Sequence, residues 1–312
     1  MNAPERISLV IPVYNEEDVV PTLIARLRDT LATLPGGPHE VVFVDDGSTD
    51  GTFDRLAAAA ADDPRVLVVC LSRNFGHQAA ICAGLDHATG DAVVVMDGDL
   101  QDRPETIARF LAERAKGYDV VYARRVGRKE GPLLRAGYFV AYRLIALLSS
   151  TPLPVDAGDF ALLSRRVVDA LKRTPERQRY LRGLRTWVGF RQTGIVVERD
   201  ERFAGTSKYD RLQLLRLVFD GMFAFSVVPL RAASVLGFVA ITLALGYTGY
   251  AVWAKLVLEQ SPRGFTALIV GIVFLSGVQL LFLGLIGEYV GRVYEEVKGR
   301  PLYLVDRVIR RG

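Results

Sequence analysis

Cysteine is scarce in this chain. Its 312 residues include only Cys70 and Cys82. The pair has no metal-site or redox spacing, which argues against thiolate chemistry and suits a reducing compartment. A glycine-rich phosphate loop is absent after the first apolar run. Pro12-Val13-Tyr14-Asn15-Glu16-Glu17 stands there instead, which argues against a dinucleotide-dependent oxidoreductase. The opening segment Met1–Arg6 lacks the apolar core of a signal peptide. Internal repeats, low-complexity tracts and nucleic-acid-binding motifs are also missing, so no nucleic-acid partner is expected. Finally, charge itself is missing from two long stretches, Ala232–Ala254 and Phe265–Gly287.

Those two stretches dominate what is present. Half of the residues are hydrophobic, and the excess is concentrated late. At 1.5 Å per residue each uncharged run can cross the ~30 Å hydrocarbon layer of a bilayer. Two buried helices of a soluble core would be the alternative, but uncharged runs of this length rarely fit a small core. Pro262 and Gly264 between them fit the connection of a helical hairpin. Arg231 precedes the first run, and Arg292, Lys298, Arg300, Arg307, Arg310 and Arg311 follow the second, against Lys255 and Arg263 in the connection. The positive-inside rule then puts both termini and the large N-terminal region in the cytoplasm. The formal net charge is only +4, and its clustering near the runs fits anionic lipid headgroups. The expected division is a cytoplasmic domain over 1–228, a membrane hairpin over 229–291 and a cytoplasmic tail over 292–312. Leu133–Leu148 and Leu212–Phe225 are candidate helices for the membrane surface, with an ordinary packed helix as the alternative that periodicity leaves open.

Before the hairpin, strand-like and helix-like patterns alternate. Apolar β-rich runs cover Ile7–Val13, Glu40–Val44, Val66–Leu71, Ala92–Met96 and Asp119–Ala123. Helical patterns run to about Leu34, from Thr49 to about Ala61, over Gln78–Thr89 and over Pro104–Lys116. This order predicts an α/β fold with a mostly parallel sheet and helices on both faces. Ligands of such sheets bind beyond the carboxyl ends of the strands. Three of those ends carry polar clusters: Tyr14-Asn15-Glu16, Asp45-Asp46 and Asp97-Gly98-Asp99-Leu100-Gln101-Asp102. Asp97 and Asp99 are hard oxygen ligands suited to Mg²⁺ or Mn²⁺ carrying a phosphate. Helix capping through Ser48 and Asp50 is the competing reading for Asp45-Asp46, and capping of the helix at Pro104 is the competing reading for Asp102.

Taken in order, Ile11–Glu17, Val44–Thr52 and Asp97–Asp102 resemble family 2 glycosyltransferases of the GT-A fold. Gly158-Asp159-Phe160, Leu163–Arg166, Tyr180–Leu184, Trp187–Phe190 and Ala204–Tyr209 narrow the likeness. They resemble bacterial polyprenyl-phosphate glycosyltransferases, relatives of dolichol-phosphate mannose synthase with two C-terminal membrane spans. The likeness covers nearly the whole chain. It implies a nucleoside diphosphate sugar donor, with uridine diphosphate glucose favoured, and undecaprenyl phosphate as acceptor. It also implies a homo-oligomer. Pro12, Tyr14, Glu16, Asp45, Asp46 and Asp97 would line the nucleotide-sugar pocket. Asp97, Asp99 and Gln101 would hold the metal. Arg124 and Arg135 would meet phosphate, and Arg202, Ser207 and Lys208 would lie on a loop over the diphosphate. Asp159, with Asp156 beside it, would take a catalytic or orienting role. A processive polysaccharide synthase would carry a Gln-x-x-Arg-Trp motif, which Arg182–Trp187 does not reproduce. A non-catalytic sugar-nucleotide scaffold would have lost the metal carboxylates, and both are present.

Overall fold

The computed structural model describes residues 5–125, 157–174, 176, 181–197, 228–257 and 264–311. The expected interfacial helices over 133–148 and 212–225 lie outside those residues. Two compact units form. The first contains eight strands in one sheet: β1 (Ile7–Val13), β2 (Glu40–Asp45), β3 (Val66–Leu71), β4 (Ala92–Val95), β5 (Val120–Arg125), β6 (Ala157–Ser164), β7 (Gln192–Val197) and β8 (Val305–Arg310). They lie in the order β7-β5-β6-β4-β1-β2-β3-β8. β1 pairs in parallel with β2 and β4, and β2 pairs in parallel with β3. β6 runs antiparallel between β4 and β5, and β8 antiparallel beside β3. The five expected strands are therefore present, joined by three that the apolar pattern did not reveal.

Alternation along β1 explains the two-faced core. Ile7, Leu9, Ile11 and Val13 enter one apolar cluster. That cluster includes Leu23 and Leu27 of helix α1 (Val20–Thr33), Leu56 of α2 (Thr52–Asp62), and Ile107 and Phe110 of α4 (Ile107–Ala115). Val10, one residue out of phase, joins the other cluster with Ile81 and Leu85 of α3 (His77–His87) and Val167 and Leu171 of α5 (Arg165–Arg173). With a period of two, a strand buried on both faces is apolar at nearly every position, and the buried Ser8 of β1 is satisfied by Glu40.

α3 lies close on the sheet because position 84 is glycine. A Cβ there would stand 2.2 Å from Val10 Cγ1 and 3.1 Å from Val44 Cγ2. Gly84→Ala is therefore expected to destabilise the protein by about 1–3 kcal/mol of overpacking, opposed by only ~1 kcal/mol of helix propensity. A melting temperature equal to or above wild type would refute that close contact.

The end of the sheet away from the strand carboxyl termini is pinned by Glu40. Its carboxylate accepts from Ser8 Oγ, from Thr89 N–H at 2.7 Å and from Thr89 Oγ1 at 2.9 Å, and it pairs with Arg6 at 3.0 Å. Burial pushes the Glu40 carboxyl up, but these hydrogen bonds and the Arg6 charge together hold it below the usual range.

The second unit contains α7 (Val228–Val257) and α8 (Phe265–Val297). Each contains a stretch long and apolar enough to cross a membrane, Ala232–Val257 and Gly271–Val297, with mean hydropathy 1.8. Their large apolar side chains are exposed, Leu236 at 61% and Phe274 at 66% among them. These helices are thus not buried in a core of this chain, and their exposed apolar surface is of the kind that suits a membrane. α8 continues through the expected hairpin boundary at 291 to Val297, and within the segment expected as the C-terminal tail, residues Val305–Arg310 form β8 in the sheet of the first unit.

Candidate active site

The sheet order reverses direction at β1, whose neighbours are β2 on one side and β4 on the other. Such a switch point opens a crevice beyond the strand carboxyl ends. Here the opening has a local cause. The Val10 carbonyl accepts from Met96 N–H, so the backbone groups of Pro12, two residues on, face the same side. The β1–β4 ladder has already ended at Val10↔Val95. Proline thus lacks a donor where β4 has left the ladder. Gly98 packs into that gap, where a Cβ would lie 2.8 Å from Val13 Cγ1 and 3.1 Å from the Pro12 carbonyl. Pro12 itself is buried in β1; it shapes the crevice floor.

The donor side is built by loops tied to one another. Asn15 takes the left-handed conformation, φ 53°. Its N–H donates to Ser48 Oγ at 3.0 Å, and its Oδ1 accepts from Thr49 N–H at 2.8 Å. Glu16 N–H donates to Thr52 Oγ1 at 2.8 Å. Ser48 is therefore a loop tie and not the helix cap it resembled. Asp45 accepts from Ser48 N–H. Asp46 is buried and accepts from Phe75 N–H at 2.7 Å and Gly76 N–H at 2.9 Å. Burial pushes the Asp46 carboxyl up, partly offset by those two bonds, and neighbouring Asp45 adds to the rise. Asp46 thus fixes the Ser72–Gly76 loop. Tyr14, the residue after β1, is 45% exposed.

Beyond β4, Asp99 Oδ1 accepts from Gln101 N–H at 3.1 Å, and Leu100 sits at φ 61°. This tight turn holds Asp97 and Asp99 on one short segment. Asp102 is buried just before the 3₁₀ turn Pro104–Thr106, whose N-cap position is Arg103. Among the described residues, no group of three or more His, Cys, Asp or Glu could hold a metal by itself. Two carboxylates at a glycine turn fit Mg²⁺ or Mn²⁺, which take their remaining ligands from phosphate and water at nucleotide sites.

The acceptor side comes from β6. The β4–β6 register includes Val95↔Ala161; continued two residues further, it sets Asp97 across from Asp159. His77, the first residue of α3, lies between them, with Nε2 3.4 Å from Asp97 Oδ1 and 3.9 Å from Asp159 Oδ2. Asp159 is gripped by Arg182 of α6 (Leu181–Trp187), through Nε at 2.8 Å and a terminal nitrogen at 2.6 Å. Burial alone would push the Asp159 carboxyl up. The Arg182 bonds and charge, aided by His77 and Arg185, hold it below its ordinary value. Arg185 is buried, with its guanidinium 5.1 Å from the Tyr122 ring centroid. Arg124, exposed near the end of β5, crosses Gly194 of β7 beside Tyr122.

Asp97, Asp99, Gln101, Tyr14 and Glu16 thus lie on the loops at the strand ends, and Asp159 joins them across the sheet. Asp156, Arg135, Arg202, Ser207 and Lys208 lie outside the described residues. Sequence reasoning missed His77, and it quoted Arg182 within a motif without a role. The signal for His77 was available: Leu71 ends a strand, and polar Ser72-Arg73-Asn74 follow it as at the other three ends.

The chain matches the description "Glycosyl transferase family 2" over residues 8–172 and "GtrB C-terminal hairpin" over residues 228–293. It is 43% identical over 303 residues to an uncharacterized glycosyltransferase of Synechocystis sp., covering 96% of this chain and 94% of that protein. It is 39% identical over 303 residues to the SfII prophage-derived bactoprenol glucosyl transferase of Shigella flexneri, covering 97% and 98%. The structure of glucosyl-3-phosphoglycerate synthase from Mycobacterium tuberculosis, in complex with Mn²⁺, uridine diphosphate and glucosyl-3-phosphoglycerate, shares the fold. The TM-score is 0.50 at 24% identity, over 70% of this chain and 79% of that one. With a GT-A sheet, its carboxylates at the switch point and a C-terminal apolar hairpin, the chain belongs to glycosyl transferase family 2.

Proposed function

We propose that this glycosyltransferase moves one sugar, glucose as the favoured case, from a nucleoside diphosphate donor to polyprenyl phosphate at the cytoplasmic face of a bacterial inner membrane. Uridine diphosphate glucose is the favoured donor, Mg²⁺ or Mn²⁺ the cofactor, and inversion at the anomeric carbon the outcome. One observation carries the reading. The Asp97–Asp99 turn faces the Asp159–Arg182 pair across β4 and β6, with His77 between them. The name of the Shigella flexneri relative, a bactoprenol glucosyl transferase, supports it.

When bound, the divalent ion supplies charge neutralisation to the departing nucleoside diphosphate. The chain does the rest. Asp97 and Asp99 present carboxylate oxygens at the diphosphate end, with the Gln101 amide bracing Asp99. Tyr14 offers an aromatic face to the base. Asp46 fixes the end of the Ser72–Gly76 loop. Asp159 keeps the Arg182 fork in one orientation, and Arg124 adds a second guanidinium for phosphate oxygens. A phosphate monoester has a second pKa of about 6, so the acceptor oxygen is already anionic and attacks without a strong base. Asp159, ionised and bidentate, orients and does not abstract a proton. The family likeness adds Arg135, Arg202, Ser207 and Lys208 to the phosphate contacts and leaves Asp156 as an auxiliary acid. Anchoring by α7 and α8, with basic residues at both ends of the hairpin, sets the domain on the cytoplasmic side.

The test supplies full-length protein in vesicles with undecaprenyl phosphate, Mg²⁺ or Mn²⁺ and a panel of nucleotide sugars. Lipid-linked glucose of inverted configuration is the expected product. Lipid-linked sugar from no member of the panel would overturn the proposal.

A further inference from the structure

β8 is the one described strand that follows the two apolar helices, and it enters the sheet at a functional place. Being antiparallel to β3, it begins beside Leu71, at the carboxyl end of β3 that carries the site loops. The Leu304 carbonyl accepts from Ser72 N–H at 2.9 Å. The Ser72–Gly76 loop is therefore held at its start by the C-terminal segment and at its end by Asp46. His77, which reaches Asp97 and Asp159, follows directly.

The same segment grips the helices that follow two donor-side loops. Tyr303 donates from its hydroxyl to Asp86 of α3 at 2.6 Å. The Arg307 guanidinium lies 4.8 Å from the ring centroid of Phe53 of α2, next to the Thr52 that receives Glu16 N–H. Arg311 donates to the Asp62 carbonyl at the end of α2. Ile309 packs on the α1–α2 side of the core, and Leu302 and Tyr303 on the α3 side. The segment therefore contacts the helices on both faces of the sheet.

We propose that Leu302–Arg311 is a positioning element of the donor site, so that nucleoside diphosphate binding depends on residues beyond the second apolar helix. This rests on the reading of the crevice as a nucleotide-sugar site. The segment holds α2 and α3 in register across β3 and fixes the loop between β3 and His77. Its residues touch neither substrate; they act through Ser72, Phe53 and Asp86.

The experiment uses the full chain in detergent micelles. Ile309→Lys puts a charge on the packed side of β8 and should free the strand, verified by faster amide exchange across Val305–Arg310. Amide exchange at Ser72–His77 should then also accelerate. The Kd for uridine diphosphate with Mn²⁺ should rise roughly tenfold, the effect of losing about one decade of binding. The KM for the sugar donor should follow it, with the KM for polyprenyl phosphate unchanged. Tyr303→Phe, which removes one hydroxyl and leaves the strand paired, should move the same readouts in the same direction by less, and serves if Ile309→Lys does not fold. A freed β8, or a lost Tyr303 bond, with unchanged loop exchange and unchanged Kd overturns the inference and leaves the function standing. Wild-type protein that binds no nucleoside diphosphate from a uridine and guanosine panel overturns the reading of the site, and this inference with it.

Discussion

Asp97→Asn is expected to lower kcat/KM for sugar transfer by on the order of 100- to 1,000-fold while the protein keeps its fold, the range seen when one preorganised electrostatic group is removed. The side chains are nearly isosteric, so the packing of Gly98 on Val13 and Pro12 should survive. What changes is charge. Asp97 is one of two carboxylates on the turn after β4, and among the described residues no group of three or more His, Cys, Asp or Glu shares the load. Losing one should raise the divalent ion concentration needed for half-maximal nucleotide binding as well as slow turnover. Asp99→Asn is a useful comparison, because an amide oxygen can still accept the Gln101 N–H that closes the turn. Titration of Mn²⁺ into protein with uridine diphosphate separates the binding effect from the rate effect. Full turnover by Asp97→Asn, at an unchanged metal requirement, would remove Asp97 from the proposed role.

Arg182→Ala is expected to produce the largest loss of stability among single changes at the site, about 3 kcal/mol at neutral pH, the lower end for stranding a buried charge. Asp159 is 9% exposed, so water cannot replace the guanidinium. The sign with pH follows from the carboxyl's environment. In the intact protein, burial raises the Asp159 pKa but Arg182 holds it below its ordinary value. The pair therefore contributes stability above the unfolded carboxylate pKa, and that contribution fades as pH falls through the folded value. Without Arg182 the burial effect prevails and protonation relieves it. The melting difference between wild type and Arg182→Ala should therefore be larger at pH 7.5 than at pH 4.5. Arg182→Lys should recover part of the stability through charge but less of the activity, since an ammonium cannot make the two-point contact. Equal melting temperatures for wild type and Arg182→Ala at both pH values would show that the pair is dispensable.

The parallel half of the sheet was legible because its strands are buried on both faces. Ile7–Val13, Val66–Leu71 and the run ending at Val95 are nearly unbroken apolar stretches bounded by polar turns, and that pattern needs no partner to be recognised. β7 and β8 were not legible. Gln192–Val197 is only partly buried and Val305–Arg310 is mostly exposed. An edge strand with one protected side has a mixed composition, and only pairing with β5 or β3 gives it its conformation. The β4–β6 pairing was hidden for a different reason: its residues are about seventy positions apart.

The chemistry divides along the same line. Short-range features by themselves determined the carboxylates at the ends of β1, β2 and β4, the two apolar helices and the family, since each is a local run or motif. Tertiary structure decided what those residues face. It tied Asp46 and Ser48 to neighbouring loops, buried Pro12 in β1, and gave Asp159 to Arg182. It also brought His77 between Asp97 and Asp159, and it returned the C-terminal segment to the sheet as β8. The physical reason is range. A strand end and a helix follow from contacts a few residues apart, whereas an ion pair or a strand register exists only after the sheet has closed the long loops between its partners.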